Sequence, residues 1–145
     1  SELIKYYCEM YDIQYAIVYF YNVYGERENS DGEFATVVAK FLSRAKKGKP
    51  LEVTSPGSQR RNFTYIEDTI NALHLVAERG FGDNYGIANK KPYTIMEVAK
   101  LISDNITLVE ENIANRLDSE IIIEKTAQLG WEAKYPLEDY IIKNK

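Results

Sequence analysis

The chain has 145 residues, of which 45% are hydrophobic and 28% charged, and its formal net charge is −4. This length and composition are typical of one ordinary globular domain with a buried core. The acidic balance excludes a general nucleic-acid or anionic-membrane binder, because such proteins need a positive field, so any bound anion must be held by local donors. The single cysteine, Cys8, excludes an internal disulfide and favours a reducing, cytoplasmic location. No apolar run in the sequence is long enough to span a membrane.

The first part of the chain alternates between helical and extended patterns. Leu3, Tyr6, Tyr7 and Met10 recur at helical spacing, and the apolar run 15–25 is typical of a parallel strand buried on both faces. The sequence predicts, in chain order, a helix over 1–12, a strand over 15–25, a loop over 26–33, a helix from Phe34 to Gly48, a strand over 51–54 and a turn over 55–59.

The second part continues the same alternation. Thr94 and Glu97 have the spacing of a capping box, and Gly80 follows a helix whose last turn carries Arg79. The sequence predicts, in chain order, a strand over 61–66, a helix over 67–79, a strand over 84–89, a helix over 94–102, a strand over 106–109, a weak strand over 120–123, a short helix before 129–131 and a final helix opened by Pro136. Strands that alternate with helices indicate an α/β fold.

Several catalytic motifs are absent from the sequence. It contains no Gly-x-Gly-x-x-Gly, no phosphate-loop lysine motif and no Cys/His spacing suited to zinc. The only histidine, His74, lies mid-helix between Leu73 and Leu75, which favours a structural role over a catalytic one. Cys8 lies in a helical pattern next to Tyr7, which favours buried packing over a reactive thiol.

Two side chains have the chemistry of an anion site. Arg61 opens a predicted strand, and a guanidinium can donate to two phosphate oxygens at once. Asn22 ends a predicted strand, and in open parallel sheets the strand ends face the ligand crevice. The residues alone leave an alternative open, in which Asn22 satisfies a turn and Arg60 and Arg61 are solvated surface charges.

Four segments in order carry a resemblance to a known family: YFYNVYGE, GKPLEVTSPGSQRRNFTYIEDTINAL, NYGIANKKPYTIMEVAKLI and EKTAQLGWEAKYPLEDYI. They resemble the C-terminal half of the extended short-chain dehydrogenase/reductase family, the NAD-dependent nucleotide-sugar epimerases and dehydratases, in its UDP-glucose 4-epimerase-like branch. The resemblance spans nearly the whole chain. It implies a single unit in which residues 1–25 complete a Rossmann-like doubly wound fold and residues 26–145 form most of a small α/β substrate-binding region.

The resemblance also implies substrate-binding roles. These are Arg61 at the nucleotide pyrophosphate, Asn22 at the sugar-nucleotide, Tyr21 beside the nicotinamide and sugar, Glu33 and Phe34 at the uridine and sugar, Glu52 and Thr54 along the nucleobase, Arg116 as a second phosphate arginine, and Ser119 near it. Two positions depart from the family pattern, since Asn62 replaces the usual aspartate and Tyr19 the usual arginine. Phe63, Tyr65 and Asp68 keep the pattern.

Two features of the family are missing from this sequence. The glycine-rich turn that holds NAD is absent, and no tyrosine is followed four residues later by lysine, as in the catalytic Tyr-x-x-x-Lys. The resemblance therefore implies a C-terminal fragment that begins just past that lysine. We expect such a chain to be inactive alone and to bind NAD, the family's cofactor, weakly if at all.

The sequence leaves three hypotheses. In the first, the chain is the nucleotide-sugar-binding portion of an NAD-dependent epimerase or dehydratase, with a UDP-sugar or similar ligand. In the second, it is a non-enzymatic nucleotide- or anion-binding module. In the third, it is a dimerisation fragment, since the resemblance places the helix over 1–12 in a dimer interface. The expected protein partners are a second copy or a complementing N-terminal half, with no nucleic acid and no membrane.

Overall fold

The fold is given by a computed structural model that describes residues 1–32, 34–110 and 120–145. These residues alternate between helices and strands, which confirms the α/β class. The elements are α1 (Glu2–Met10), β1 (Ala16–Phe20), β2 (Val23–Tyr24), α2 (Val37–Lys46), β3 (Leu51–Thr54), β4 (Arg60–Asn62), β5 (Thr64–Tyr65), α3 (Ile66–Arg79), β6 (Gly82–Ile87), β7 (Pro92–Thr94), α4 (Ile95–Ile102), β8 (Ile106–Val109), α5 (Glu124–Gln128) and α6 (Leu137–Asn144).

The strands pair with partners that are distant in the sequence. Parallel pairs form between β1 and β6, between β2 and β5, and between β3 and β8, whereas β4 and β7 are antiparallel. Parallel strands cannot be joined by a tight turn, so other elements lie between the members of each parallel pair; α3, for example, lies between β1 and β6 in the chain.

The apolar run 15–25 forms two strands, not one. Asn22 adopts a left-handed backbone with φ of 40°, which separates β1 from β2. The prediction that this run is buried on both faces was wrong for β1, because its end residues Ala16 and Phe20 are exposed and those between them only partly buried. Among the described residues β1 pairs with β6 alone, so one of its edges carries no neighbour.

Two other predicted strands differ from those in the structure. The strand over 61–66 is divided at Phe63 into β4 and β5, and β4 pairs with β7, which the sequence analysis missed. Residues 120–123 form no strand. Their backbone is engaged by a side chain instead, since Ile122 N–H donates to the Tyr21 hydroxyl at 3.2 Å.

Helix boundaries agree well with local signals. The capping box of α4 is confirmed, with Glu97 N–H donating to Thr94 Oγ1 at 3.1 Å and Thr94 N–H donating to Glu97 Oε2 at 2.6 Å. The second helix begins later than predicted, because Thr36 is its N-cap and accepts from Ala39 N–H at 3.4 Å. Phe34 therefore precedes the helix.

The hydrophobic core lies between β3 and the helices α2, α4 and α6. Phe41 of α2, Leu51 of β3, Ile102 of α4 and Leu137 of α6 are each at most 2% exposed. Burial of each such side chain contributes about 1.5–3 kcal/mol to the free energy of unfolding. Because α2 packs on this core, its N-terminus is held beside the ends of β2 and β5.

Asp68 joins α3 to the C-terminal segment. Its carboxylate is buried and accepts from the backbone N–H groups of Lys134 and Tyr135, each at 3.0 Å. Its backbone carbonyl accepts from the indole N–H of Trp131 at 3.0 Å. This residue, which keeps the family pattern, therefore has a structural role here.

Asp83 of β6 links α1 to β1. It accepts from Lys5 Nζ at 2.6 Å and from the Tyr19 hydroxyl at 2.8 Å. The hydrogen bond from Lys5 lowers the pKa of the Asp83 carboxyl to about 2. Tyr19, where the family has arginine, thus retains a polar contact at this position.

Cys8 and His74 both lie on helices. Cys8 is buried, as predicted. His74 lies on the exposed face of α3, where its Nδ1 is 3.6 Å from Glu78 Oε1. None of the helices in the described ranges has the length and apolar character that a membrane crossing requires.

Candidate nucleotide-binding site

Asn22 forms the junction of the strand ends. Its side-chain Nδ2 donates to the Asn62 carbonyl at 3.2 Å, and its own carbonyl accepts from Thr64 N–H at 3.3 Å. These bonds reach a neighbouring strand and are not contacts within a turn, although Asn22 itself lies at the bend between β1 and β2. The Asn22 side chain is nevertheless exposed on the other side, toward a cavity.

A network of polar groups holds this junction together. Asn62 is 6% exposed, and its Nδ2 donates to the Asn89 carbonyl at 2.7 Å. The Thr64 hydroxyl donates to the Tyr21 carbonyl at 3.2 Å and accepts from Asn89 N–H at 3.1 Å. A carboxylate at position 62 could not donate to the Asn89 carbonyl, which gives a physical reason for asparagine there.

Arg61 and Asn22 line the same cavity, which has a volume of about 300 Å³. Arg61 is half-buried, and its Nη1 donates to the Arg60 carbonyl at 2.7 Å, which restricts the orientation of the guanidinium. Arg60 itself is exposed. The lining consists of Asn22, Val23, Tyr24, Glu28, Ala35, Thr36, Val37, Val38, Arg61, Phe63 and Ile95.

Glu28 is a lining residue that the sequence analysis missed. Its carboxylate accepts from Gly25 N–H at 2.8 Å and from the Thr36 hydroxyl. Burial raises the pKa of the Glu28 carboxyl, and these two hydrogen bonds oppose that shift. Residues 26–33 have no periodic pattern, so no sequence signal marks Glu28.

The other predicted residues of the described chain lie outside this lining. Tyr21 contacts Ile122 through its hydroxyl, and its ring lies beside Gly86. Phe34 is 84% exposed and lies next to Ala35, which does line the cavity.

The two predicted nucleobase residues lie on β3. Glu52 accepts from Arg44 Nη2 at 2.7 Å, an ion pair that joins β3 to α2. Thr54 is partly buried and pairs with Val109 of β8. Glu33, Arg116 and Ser119 lie outside the described residues.

The site is electrostatically mixed and holds no metal cluster. Among the lining residues that the structure describes, Arg61 is positive and Glu28 is acidic. Across residues 1–32, 34–110 and 120–145, no group of three or more histidine, cysteine or acidic side chains is placed to hold a metal ion. The arrangement is suited to binding an anion through a guanidinium and an amide.

Comparison with known proteins assigns the chain to a family. Residues 1–89 match the model of the NAD dependent epimerase/dehydratase family. The chain belongs to this family. The family assignment, and with it the Rossmann-like fold, agrees with the resemblance seen in the sequence.

Relatives of this epimerase/dehydratase chain are considerably longer than it is. A putative UDP-glucose 4-epimerase of Methanocaldococcus jannaschii is 31% identical over 97% of this chain and 48% of its own length. UDP-glucuronic acid decarboxylase 5 of Arabidopsis thaliana is 31% identical over 92% of this chain and 40% of its own length. The chain thus spans about half the length of the curated relatives that it matches.

Solved structures give the same result for the fold. The Thermotoga maritima UDP-glucose 4-epimerase, solved with UDP-glucose, matches 99% of this chain and 48% of its own chain, with a TM-score of 0.91 and 25% identity. The Thermus thermophilus UDP-glucose 4-epimerase, solved with NAD, matches 99% of this chain and 49% of its own, with a TM-score of 0.88 and 21% identity.

Proposed function

We propose that this chain forms the nucleotide-sugar-binding side of an NAD-dependent nucleotide-sugar epimerase or dehydratase. In this proposal Arg61 binds the pyrophosphate. The observation that carries the proposal is the presence of Arg61 and Asn22 in one cavity of about 300 Å³, with Asn22 directly before β2 and Arg61 within β4. Cavities of this size are at the lower end of the range for small-molecule sites.

Arg61 is suited to a pyrophosphate for two reasons. Its guanidinium stays charged at any relevant pH and donates in a planar fork that matches two phosphate oxygens. Its Nη1 contact with the Arg60 carbonyl orders the side chain before a ligand arrives, so less conformational entropy is lost on binding. Asn22 supplies a neutral amide next to it for a sugar or ribose hydroxyl.

The features that bind NAD in this family are missing from the sequence. The sequence lacks both the glycine-rich turn that cradles a dinucleotide and the Tyr-x-x-x-Lys motif. Tyr21 is predicted to lie beside the nicotinamide and sugar, and its hydroxyl accepts a hydrogen bond from Ile122 N–H. The absence of both motifs from the sequence supports the proposal that these 145 residues bind the nucleotide-sugar but do not by themselves hold NAD or transfer hydride.

Isothermal titration of the chain with UDP, UDP-glucose and NAD, each in a separate experiment, tests this proposal. We expect the two UDP ligands to bind and NAD not to bind measurably. Arg61→Ala should weaken UDP binding at least about tenfold, because a charged hydrogen-bond donor is lost. Arg60→Ala is the matched control, since it removes the same charge from an exposed neighbour, and it should change the affinity by less than about twofold.

Two results would contradict the proposal. Equal UDP affinity of wild type and Arg61→Ala would remove the pyrophosphate role of Arg61. Tight binding of NAD would show that the chain holds the cofactor without the missing motifs.

A second function, self-association through α1, is favoured by a separate observation. α1 and the turn after it expose a cluster of large apolar side chains: Leu3 79%, Ile4 53%, Tyr6 63%, Tyr7 55%, Met10 54%, Tyr11 58% and Ile13 48%. Such a cluster is typical of a protein interface. We propose that it packs against its own copy or against a complementing N-terminal half.

Sedimentation equilibrium tests the self-association. We expect a dimer for wild type and a monomer for Tyr7→Glu. Ile142→Glu is the control, because Ile142 is 76% exposed on α6 and lies outside the cluster. A monomeric wild-type chain would refute pairing with a second copy.

A further inference from the structure

Glu28 connects the two walls of the cavity that contains Arg61. One wall is the strand-end segment 22–24, and the other is the segment 35–38 at the start of α2. Glu28 Oε1 accepts from Gly25 N–H at 2.8 Å, immediately after the first wall. Glu28 Oε2 accepts from the Thr36 hydroxyl, within the second wall. A single carboxylate is therefore bonded to both walls.

Thr36 transmits this connection into helix α2. Its hydroxyl proton is donated to Glu28, while its oxygen accepts from Ala39 N–H at 3.4 Å as the N-cap of the helix. Since an N-cap fixes the first turn of a helix, the position of segment 35–38 depends on Thr36 and, through it, on Glu28. Thr36 N–H also donates to the Asn29 carbonyl at 3.1 Å, but that bond stays within the loop and does not reach the strand end.

The negative charge of Glu28 does not explain why a glutamate lines a cavity proposed to bind phosphates. In the described part of the cavity lining Glu28 is acidic and Arg61 is positive, and a carboxylate in this cavity repels phosphate. The two hydrogen bonds do give a reason, because bonds to a partly buried carboxylate are stronger than neutral ones. Removal of the carboxylate should therefore weaken UDP binding if the two hydrogen bonds matter most, and strengthen it if the repulsion of phosphate matters most.

We propose that Glu28 is a positioning residue for the nucleotide, holding the strand-end wall and the α2 wall at the separation that Arg61 needs to grip the phosphates. This inference rests on the proposed function of the cavity. It assigns Glu28 no contact with the ligand. Its effect on binding acts through Gly25 and Thr36.

UDP titration of Glu28→Ala and Glu28→Gln separates the possibilities. Alanine breaks both bonds, and we expect it to weaken UDP binding about tenfold. Glutamine can accept from Gly25 N–H with its oxygen and donate to Thr36 Oγ1 with its amide, so it should stay within about threefold of wild type. Asp31→Ala is the matched control, because it removes a 77% exposed carboxylate from the same loop and should leave the affinity unchanged.

Amide hydrogen exchange of the same proteins without ligand tests the bridge that Glu28 forms between Gly25 and Thr36. We expect Glu28→Ala to lower the protection of Gly25 N–H and Ala39 N–H, and Glu28→Gln to retain most of it. Unchanged protection at both amides in Glu28→Ala would overturn the inference.

The outcomes of the titration are distinct. Tighter UDP binding by both Glu28 variants would show that the charge, and not the bridge, governs the site. Unchanged affinity of Glu28→Ala together with reduced stability toward urea would show a purely structural role. A wild-type chain that binds no UDP would refute the proposed function and the nucleotide part of this inference, while hydrogen exchange would still decide the bridge.

Discussion

Replacement of Asp68 by alanine tests how far the fold depends on the link between α3 and the C-terminal segment. The Asp68 carboxylate is 1% exposed and accepts from Lys134 N–H and Tyr135 N–H, each at 3.0 Å. Alanine leaves these two backbone donors without their acceptor. It also removes an acidic group from the first turn of α3, where it interacts favourably with the helix dipole.

The expected loss can be worked from these contacts. A buried donor left without a partner costs about 1–3 kcal/mol. Lys134 and Tyr135 are exposed, so water can reach part of the vacated space and the lower half of that range applies to each donor. With a few tenths of a kcal/mol from the dipole, we expect Asp68→Ala to lower the free energy of unfolding by about 2–4 kcal/mol. Asp68→Asn keeps one acceptor oxygen and should lose about half as much.

Urea unfolding followed by tryptophan fluorescence measures this loss. The single tryptophan, Trp131, donates its indole N–H to the Asp68 carbonyl at 3.0 Å and so reports on the same junction. Asn71→Ala, on an exposed position of the same helix, is the control and should change the stability by less than about 0.5 kcal/mol. A loss below about 1 kcal/mol for Asp68→Ala, at an unchanged urea m-value, would refute the reasoning.

Three further predictions concern stability. The hydrogen bond from Lys5 lowers the pKa of Asp83 from 3.8 to about 2, so its stabilisation is fully present above pH 3.8 and is lost as the pH falls toward 2. That shift sets an upper bound of about 2.5 kcal/mol, which solvent screening reduces to about 1 kcal/mol. Asp83→Asn should remove this contribution to the acid dependence of unfolding, followed by circular dichroism between pH 2 and 6. Gly86→Ala should destabilise the chain by about 3 kcal/mol or more in urea, because its Cβ would lie 1.7 Å from the Ile122 carbonyl oxygen, and a wild-type midpoint would contradict the packing described here. Thr94→Ala should cost about 1 kcal/mol through loss of the α4 cap, and Thr94→Ser should restore most of it.

Elements with local signals could be predicted from the sequence. The α4 capping box needs only Thr94 and Glu97, which are three residues apart, and both its bonds are present. The strand over 106–109 also forms at its predicted position. β7 was missed because it has only three residues, opens with Pro92 and depends on β4, which lies far away in the sequence.

The exposure of individual strands and the composition of the site depend on contacts between residues that are distant in the sequence. The apolar content of β1 indicated a strand correctly but not its exposure, because exposure depends on which elements pack against it. The position of Asn22 between two parallel-paired strands agrees with the rule that ligands bind at strand ends, but Arg61 reaches the same cavity from β4, which pairs in the antiparallel sense with β7. Glu28 was not predictable, since its role depends on a loop conformation that brings Gly25 close to Thr36.

The strand pairing has a consequence for biosynthesis. The nearest paired residues among the described strands, Asn62 and Pro92, are 92 − 62 = 30 positions apart, and Ala16 and Gly82 are 82 − 16 = 66 positions apart. Such topologies fold slowly, because a long loop must close before the first ladder bond forms. At a translation rate of about 5–20 residues per second, β1 waits about 3–13 seconds for β6 to be synthesised. During that interval strand β1 lacks the partner with which it pairs in the folded chain, so its unpaired edge is open to contacts with other chains.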